Sequence, residues 1–249
     1  MSPSIMSKPL HWRVFSLPKR GHSAQEYEDA FAADPKEGRF AVADGASESS
    51  FANRWAQLLV DGFIRPAGTP VLETAWLNSL RRRWADEVDR QELPWYADEK
   101  RDMGAYATFA GLAIKQGNEG PGGRWNAWAV GDSCIFQVRK DALVQAFPME
   151  RSDSFGNHPS LICSRPDGAE HKLKRDGARW QAGDHLYLMT DALAQWFLKQ
   201  NEHAKKPWQT LDRFFTELAD NAARGNWIEQ QRDREAMRND DITLVSIYL

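Results

Sequence analysis

Apolar segments of this chain stop, one after another, at an acid. RFAVA runs into Asp44-Gly45, WAVG into Asp132-Ser133 and LYLMT into Asp191-Ala192, while Asn239-Asp240-Asp241 opens directly into ITLVSIYL. An aspartate after a single strand is ordinary turn chemistry, its side chain capping nearby backbone N–H groups. Four in series need another reason, because turns give apolar strands no cause to end repeatedly at carboxylates. The pattern favours a fold in which strand ends converge on one cleft, whatever their distance along the chain. Two carboxylates about 4 Å apart repel by roughly 4 kcal/mol at an effective dielectric near 20, so such a gathering requires protonation or bound cations. Oxygen donors with no His or Cys among them select a hard ion, Mg²⁺ or Mn²⁺, over zinc. Two such ions roughly 3.5 to 4 Å apart, bridged by one carboxylate, activate water and neutralise a phosphate in an in-line displacement. The adjacent acids Glu28-Asp29 in EYEDAF lie just before the Asp44 strand; taken alone they read as a surface pair.

Short alternating or continuously apolar runs predict strands over Trp12 to Leu17, Arg39 to Ala43, Thr108 to Ile114, Trp125 to Val130, Cys134 to Arg139, Ala142 to Phe147, His185 to Thr190 and Ile242 to Leu249. Lys140-Asp141 and the segment GNEGPGG are short links between neighbouring runs, which implies antiparallel hairpins. Helical periodicity places Phe51, Trp55, Leu58, Leu59 and Phe63 on one face, and Leu72, Trp76, Leu80, Trp84 and Val88 on a second. A third helix is expected from about Trp208 to Ala223, continued by Asn226 to Met237. The fold class that follows is α+β, antiparallel sheets covered by helices. No linker divides the chain, so residues 1–249 are read as one domain, with Glu150 to Arg179 as a long surface excursion broken by Pro159 and Pro166. Eleven tryptophans point to a thick core or an apolar groove.

Several function classes fall away. A net charge of -3 gives no pull toward nucleic acid, and no apolar run approaches the roughly 18 residues of a membrane span. The first residues lack an apolar stretch of signal-peptide length. Cys134 and Cys163 make neither a disulfide framework nor a CxxC zinc site and read as reduced thiols, so a cytoplasmic location is expected. There is no GxSxG elbow, no HExxH among the six histidines, and no GK[ST] ending after GNEGPGG.

The ordered segments EDAF, AVADGAS, GAYATFAGLAI, WAVGDSCIFQVRKDALVQAF, LYLMTDALAQWF and NDDITLVSIYL together resemble the metal-dependent protein phosphatases, the type 2C serine/threonine family, in compact bacterial form over residues 20–249. The resemblance implies a four-layer αββα sandwich of two antiparallel sheets flanked by helices. It implies a hydrolase of protein phosphoserine and phosphothreonine that uses a hydroxide bridging two Mn²⁺ or Mg²⁺ ions, acts in signalling, and opposes a serine/threonine kinase on a phosphorylated protein partner. By position, Asp44 matches the bridging aspartate and Gly45 a backbone-carbonyl ligand. Asp191 and Asp240 match the aspartates that complete the first ion's shell, with Asp241 as runner-up to Asp240. Glu28 and Asp29 match the acidic pair that ligates the second ion or holds its waters, and Asp132, with Asp191, matches the site of a third and weaker ion.

Three departures stand beside the match. The family's phosphate-clamping arginine, four residues before the Glu of the acidic pair, is Ala24 here, and Arg20 and His22 are the candidate replacements for phosphate binding. A histidine that some members place two residues after the first aspartate is Ala46, and the glycine usual after the third is Ala192. The missing arginine motivates an alternative function, a catalytically weak binding module for a phosphorylated partner. Intact acids favour the enzyme, since loss of catalysis would remove the reason to keep so much negative charge together.

Overall fold

Strands apolar at every position, such as RFAVA and ITLVSIYL, have to be covered on both faces, and four layers do this. The computed structural model describes residues 10–47, 49, 51–65, 72–88, 103–117, 122–156, 158–166, 168, 171–218 and 220–249. In chain order the elements are β1 (His11–Leu17), β2 (Asp29–Asp34), β3 (Arg39–Asp44), α1 (Ala52–Ile64), α2 (Thr74–Val88), β4 (Tyr106–Ala107), β5 (Phe109–Gln116), β6 (Gly122–Val130), β7 (Cys134–Arg139) and β8 (Ala142–Phe147). They continue with β9 (Ile162–Cys163), β10 (Lys174–Gln181), β11 (His185–Met189), α3 (Asp191–Glu202), α4 (Pro207–Thr216), α5 (Asn221–Asp233) and β12 (Ile242–Tyr248). One antiparallel sheet runs β1-β12-β11-β7-β8, the other β10-β6-β5-β3-β2, and β4 pairs with β9.

Side-chain alternation assigns the layers. In β3, Phe40 and Val42 point between the sheets with Leu112, Trp125, Leu188 and Val245. Their neighbours Ala41 and Ala43 face outward against Trp55, Leu59 and Phe63 of α1, with α2 behind. In the other sheet, Leu186 and Leu188 face inward, while Tyr187 and Met189 meet Trp196, Phe197, Leu211 and Phe214 on α3 and α4. The two antiparallel sheets flanked by helices are the α+β arrangement expected. Tryptophans fill the thick core: Trp55, Trp84 and Trp125 are completely buried.

The expected hairpin at Lys140-Asp141 is present, with both residues at positive φ (47° and 63°), the backbone of a tight two-residue hairpin turn. The GNEGPGG link also joins antiparallel partners, β5 and β6, although residues 118–121 lie outside the described ones. Three expectations need correcting. The helix read from Trp208 through Met237 is two helices, because Asp220 accepts from the backbone N–H of Ala223 (2.8 Å) and so starts α5 afresh. The surface excursion from Glu150 to Arg179 contains most of β10, whose sequence KRDGARWQ is polar because it is an edge strand paired only with β6. The run DALAQWFLKQNE, read only as the flank of a strand, is α3, and its buried residues at 191–194 and 196–198 are too closely spaced to leave a clean apolar stripe. Among the described residues, no helix is long and apolar enough to cross a membrane.

Candidate metal centre

Both sheets deliver carboxylates to one end of the sandwich. Asp44 ends β3 and is the cross-strand partner of Asp29, which begins β2. Gly45 follows in a bridge to Ala107, and its backbone runs so close to Glu28 and Ala52 that an added Cβ would lie 2.8 Å from the Glu28 carbonyl. Asp132 follows β6 through Gly131, whose φ of 91° and tight contact with Thr108 exclude other residues. From the opposite sheet, Asp191 follows β11 as the first residue of α3, and Asp240 precedes β12. Asp44, Asp132 and Asp191 each present a carboxylate oxygen, and these lie within 4.8 Å of one another.

Asp29 ties the sheets together. Its Oδ2 accepts from Thr190 Oγ1 (2.9 Å), just past β11, and Thr243 Oγ1 (2.8 Å) of β12, which leaves a buried Oδ1 without a partner among the described residues. Asp240 and Asp241, adjacent in sequence, have different surroundings. Asp241 is buried and accepts from the backbone N–H groups of Lys19 and Glu28, both at 2.7 Å, so it holds the segment that leads into β2. Asp240 takes only the N–H of Asp241 at 3.0 Å, and its charge bears on Asp44, Asp132 and Asp191.

The carboxylates raise one another's pKa. Burial first, then the charge of Asp29 and of Asp191, push Asp44 well above the usual carboxylate range. Burial and Asp191 raise Asp132 to about 7. Asp29 is raised by burial and by Asp241. Asp191 is raised by burial and by Asp240, against the pull of Arg238. Both carboxylate oxygens of Asp132 are buried with no hydrogen-bond partner, an arrangement that costs several kcal/mol unless a cation is present. An all-oxygen donor set with orphaned buried oxygens fits a hard divalent ion.

The remaining sequence candidates are placed as follows. Glu28 Oε2 accepts from Ser47 Oγ and from Lys19 Nζ (3.4 Å). Arg20 is half exposed, its guanidinium bonded to Glu229 (2.5 Å) and Asp233 (2.6 Å) of α5. His22 is exposed. Two other cations touch the acids, and neither stood out in the sequence: Lys19, and Arg238, which pairs with Asp191. The available signal was proximity, since Arg238 lies two residues before Asp240. Beside Asp191 opens a cavity of about 510 Å³ whose walls include Ser152, Gln195, Lys199, Arg238 and Asn239.

Residues 19–231 match the family model described as Protein phosphatase 2C. No curated protein matches the chain in a sequence search. Among solved structures, similarity extends to one described as "PppA, a key regulatory component of T6SS in Pseudomonas aeruginosa", at 19% identity and TM-score 0.56, covering 97% of this chain and 98% of that one. The Mycobacterium tuberculosis serine/threonine phosphatase PstP/Ppp is similar at 17% identity and TM-score 0.57, with 97% and 99% covered. A catalytic domain of PstP in complex with two manganese ions is similar at 18% identity and TM-score 0.56, with 96% and 98% covered.

Proposed function

Because the chain belongs to the protein phosphatase 2C family, we propose that it hydrolyses phosphoserine and phosphothreonine in a protein substrate, opposing a serine/threonine kinase. The whole chain acts as one domain in this reading, with two Mn²⁺ or Mg²⁺ ions as cofactors. The observation that carries it is the convergence of Asp44, Asp132 and Asp191 from three separate strand ends to within 4.8 Å. Asp44, the cross-strand partner of Asp29, would hold the ions in this reading, with the Gly45 carbonyl beside it. Asp191 and Asp240 complete one side, and Glu28 and Asp29 the other. Asp240 is preferred to Asp241 because both oxygens of Asp241 already hold backbone amides. When bound, the ions supply polarised water and neutralise the phosphate.

The protein's own groups do the rest. Thr190 and Thr243 fix one oxygen of Asp29 and so aim the other. Lys19, held between Glu28 and Ser47, supplies a cation at the rim for the substrate phosphate. Arg20 is committed to α5, which leaves Lys19, with His22 nearby, as the phosphate-binding set. Two buried free thiols support a cytoplasmic setting. The absence of an arginine at position 24 favours the second reading, a weak or inactive module that binds phosphoproteins. A phosphothreonine peptide separates the two. Turnover with Mn²⁺ that stops on chelation, and falls by more than about 100-fold in Asp44→Asn with the fold retained, is the expected result. A folded, Mn²⁺-loaded wild type that binds the peptide without turnover would leave the module.

A further inference from the structure

Arg238 stands where the acid cluster meets the cavity beside α3. Its Nη2 donates to Oδ2 of Asp191, so one of the two oxygens of that carboxylate is already engaged. Its charge acts on Asp191, Asp240 and Asp132 alike. The neighbouring backbone is anchored: Asn239 Oδ1 accepts from the N–H of Arg20 (2.7 Å), and the Asp240 carbonyl accepts from Arg232 Nη2 (2.5 Å). Asp132, 1% exposed, presents two oxygens with no partner to the same cluster.

A cation bound between Asp132 and Asp191 would compete with Arg238 for the Asp191 carboxylate. Two divalent ions bring four positive charges to a cluster in which Asp29, Asp44, Asp132, Asp191 and Asp240 act on one another. A guanidinium adds one more positive charge, and it stays charged at any working pH. We propose that Arg238 is a built-in counter-charge that limits the centre to two divalent ions, by occupying the edge of Asp191 that a third would share with Asp132. The inference rests on the two-ion reading above. It gives the chain a cation that is always present and does not depend on how much free divalent ion surrounds it.

Ion counting tests this without reference to turnover. Mn²⁺ is titrated into the purified full chain by calorimetry, and bound ions are counted after equilibrium dialysis. Wild type is expected to bind two. Arg238→Gln is expected to bind a third at least about tenfold more tightly than wild type does, and Arg238→Gln combined with Asp132→Asn to return to two. Arg238→Ala also removes the guanidinium and is expected to bind the third ion as Arg238→Gln does, which serves if the glutamine variant does not fold. Three ions in wild type, or two in Arg238→Gln, would overturn the role of Arg238 and leave the two-ion centre standing. Fewer than two in wild type would instead remove the two-ion reading, and this inference with it.

Discussion

Asp184 and Asp132 are hidden from solvent to the same degree, 2% and 1% exposed, yet their surroundings are opposite. Asp184, in the turn between β10 and β11, accepts from Arg139 Nε (2.8 Å) and Nη2 (2.6 Å), Gln137 Nε2 (2.7 Å) and the N–H of Gln181 (2.9 Å). Burial alone would raise its pKa, but these donors outweigh burial and hold it below the ordinary range. The two carboxylate oxygens of Asp132 have no hydrogen-bond partner among the described residues, and burial and Asp191 drive it up to about 7. A buried acid with a full set of donors is part of the scaffold, whereas one without them is kept only where something else supplies the charge. Burial by itself therefore does not distinguish these two acids; their donors do.

Breaking the scaffold acid has the largest effect. Asp184→Ala removes the carboxylate from Arg139 and Gln137, leaving them only the Arg179 carbonyl to donate to, and should lower unfolding stability by about 3 kcal/mol, read by denaturant titration, with Mn²⁺ binding unchanged. Loss of ion binding in a folded Asp184→Ala protein would erase the distinction between the two acids. Asp132→Asn should act in the other direction. In chelator it removes an uncompensated charge and should stabilise the protein by roughly 2 kcal/mol, while weakening Mn²⁺ binding in calorimetry. A destabilised metal-free Asp132→Asn would show that the carboxylate has donors after all.

Acidity separates the same pair by a smaller effect. The folded pKa of Asp132, about 7, lies above its ordinary value of 3.8, so the metal-free folded state binds a proton that the unfolded chain does not. Stability in chelator should therefore rise, by about 1 kcal/mol, as pH falls from about 7 to about 6, and saturating Mn²⁺ should cancel the gain. Asp184 has the opposite sign. Its pKa is depressed, so its contribution is complete above the ordinary value and is lost only in more acidic solution, as pH falls through the folded value. Thermal melts at the two pH values, with and without chelator, read the difference, and a metal-free protein that melts lower at the more acidic pH would contradict it.

The smallest effect applies the same criterion to cations. Arg20 is already paired on the surface with Glu229 and Asp233, so Arg20→Ala should leave KM for a phosphopeptide within about twofold. Lys19→Ala should raise KM with less change in kcat, because Lys19 Nζ sits beside Glu28. A raised KM for Arg20→Ala instead would return the phosphate contact to Arg20.

Eight strand positions, the Lys140-Asp141 hairpin, the α+β class and the acids at strand ends were legible in the sequence because each depends on local signals, side-chain alternation, turn chemistry, and a carboxylate beside an apolar run, whereas β2 and the two-residue strands β4 and β9 were not among the expected strands. Edge strand β10 and helix α3 were not legible, since one is polar along most of its length and the other is apolar on too many sides for its period to show. The division of labour within the site was also out of reach. Asp240 and Asp241 are the same residue side by side, and only contacts with Lys19 and Glu28, more than 200 residues away in the chain, distinguish them. Arg238 beside Asp191, and donors around Asp184 but not around Asp132, are likewise products of packing between distant segments. A sequence carries its charges and its periods locally, but whether a buried charge finds a partner depends on which distant strands fold against it, and that the tertiary structure alone decided.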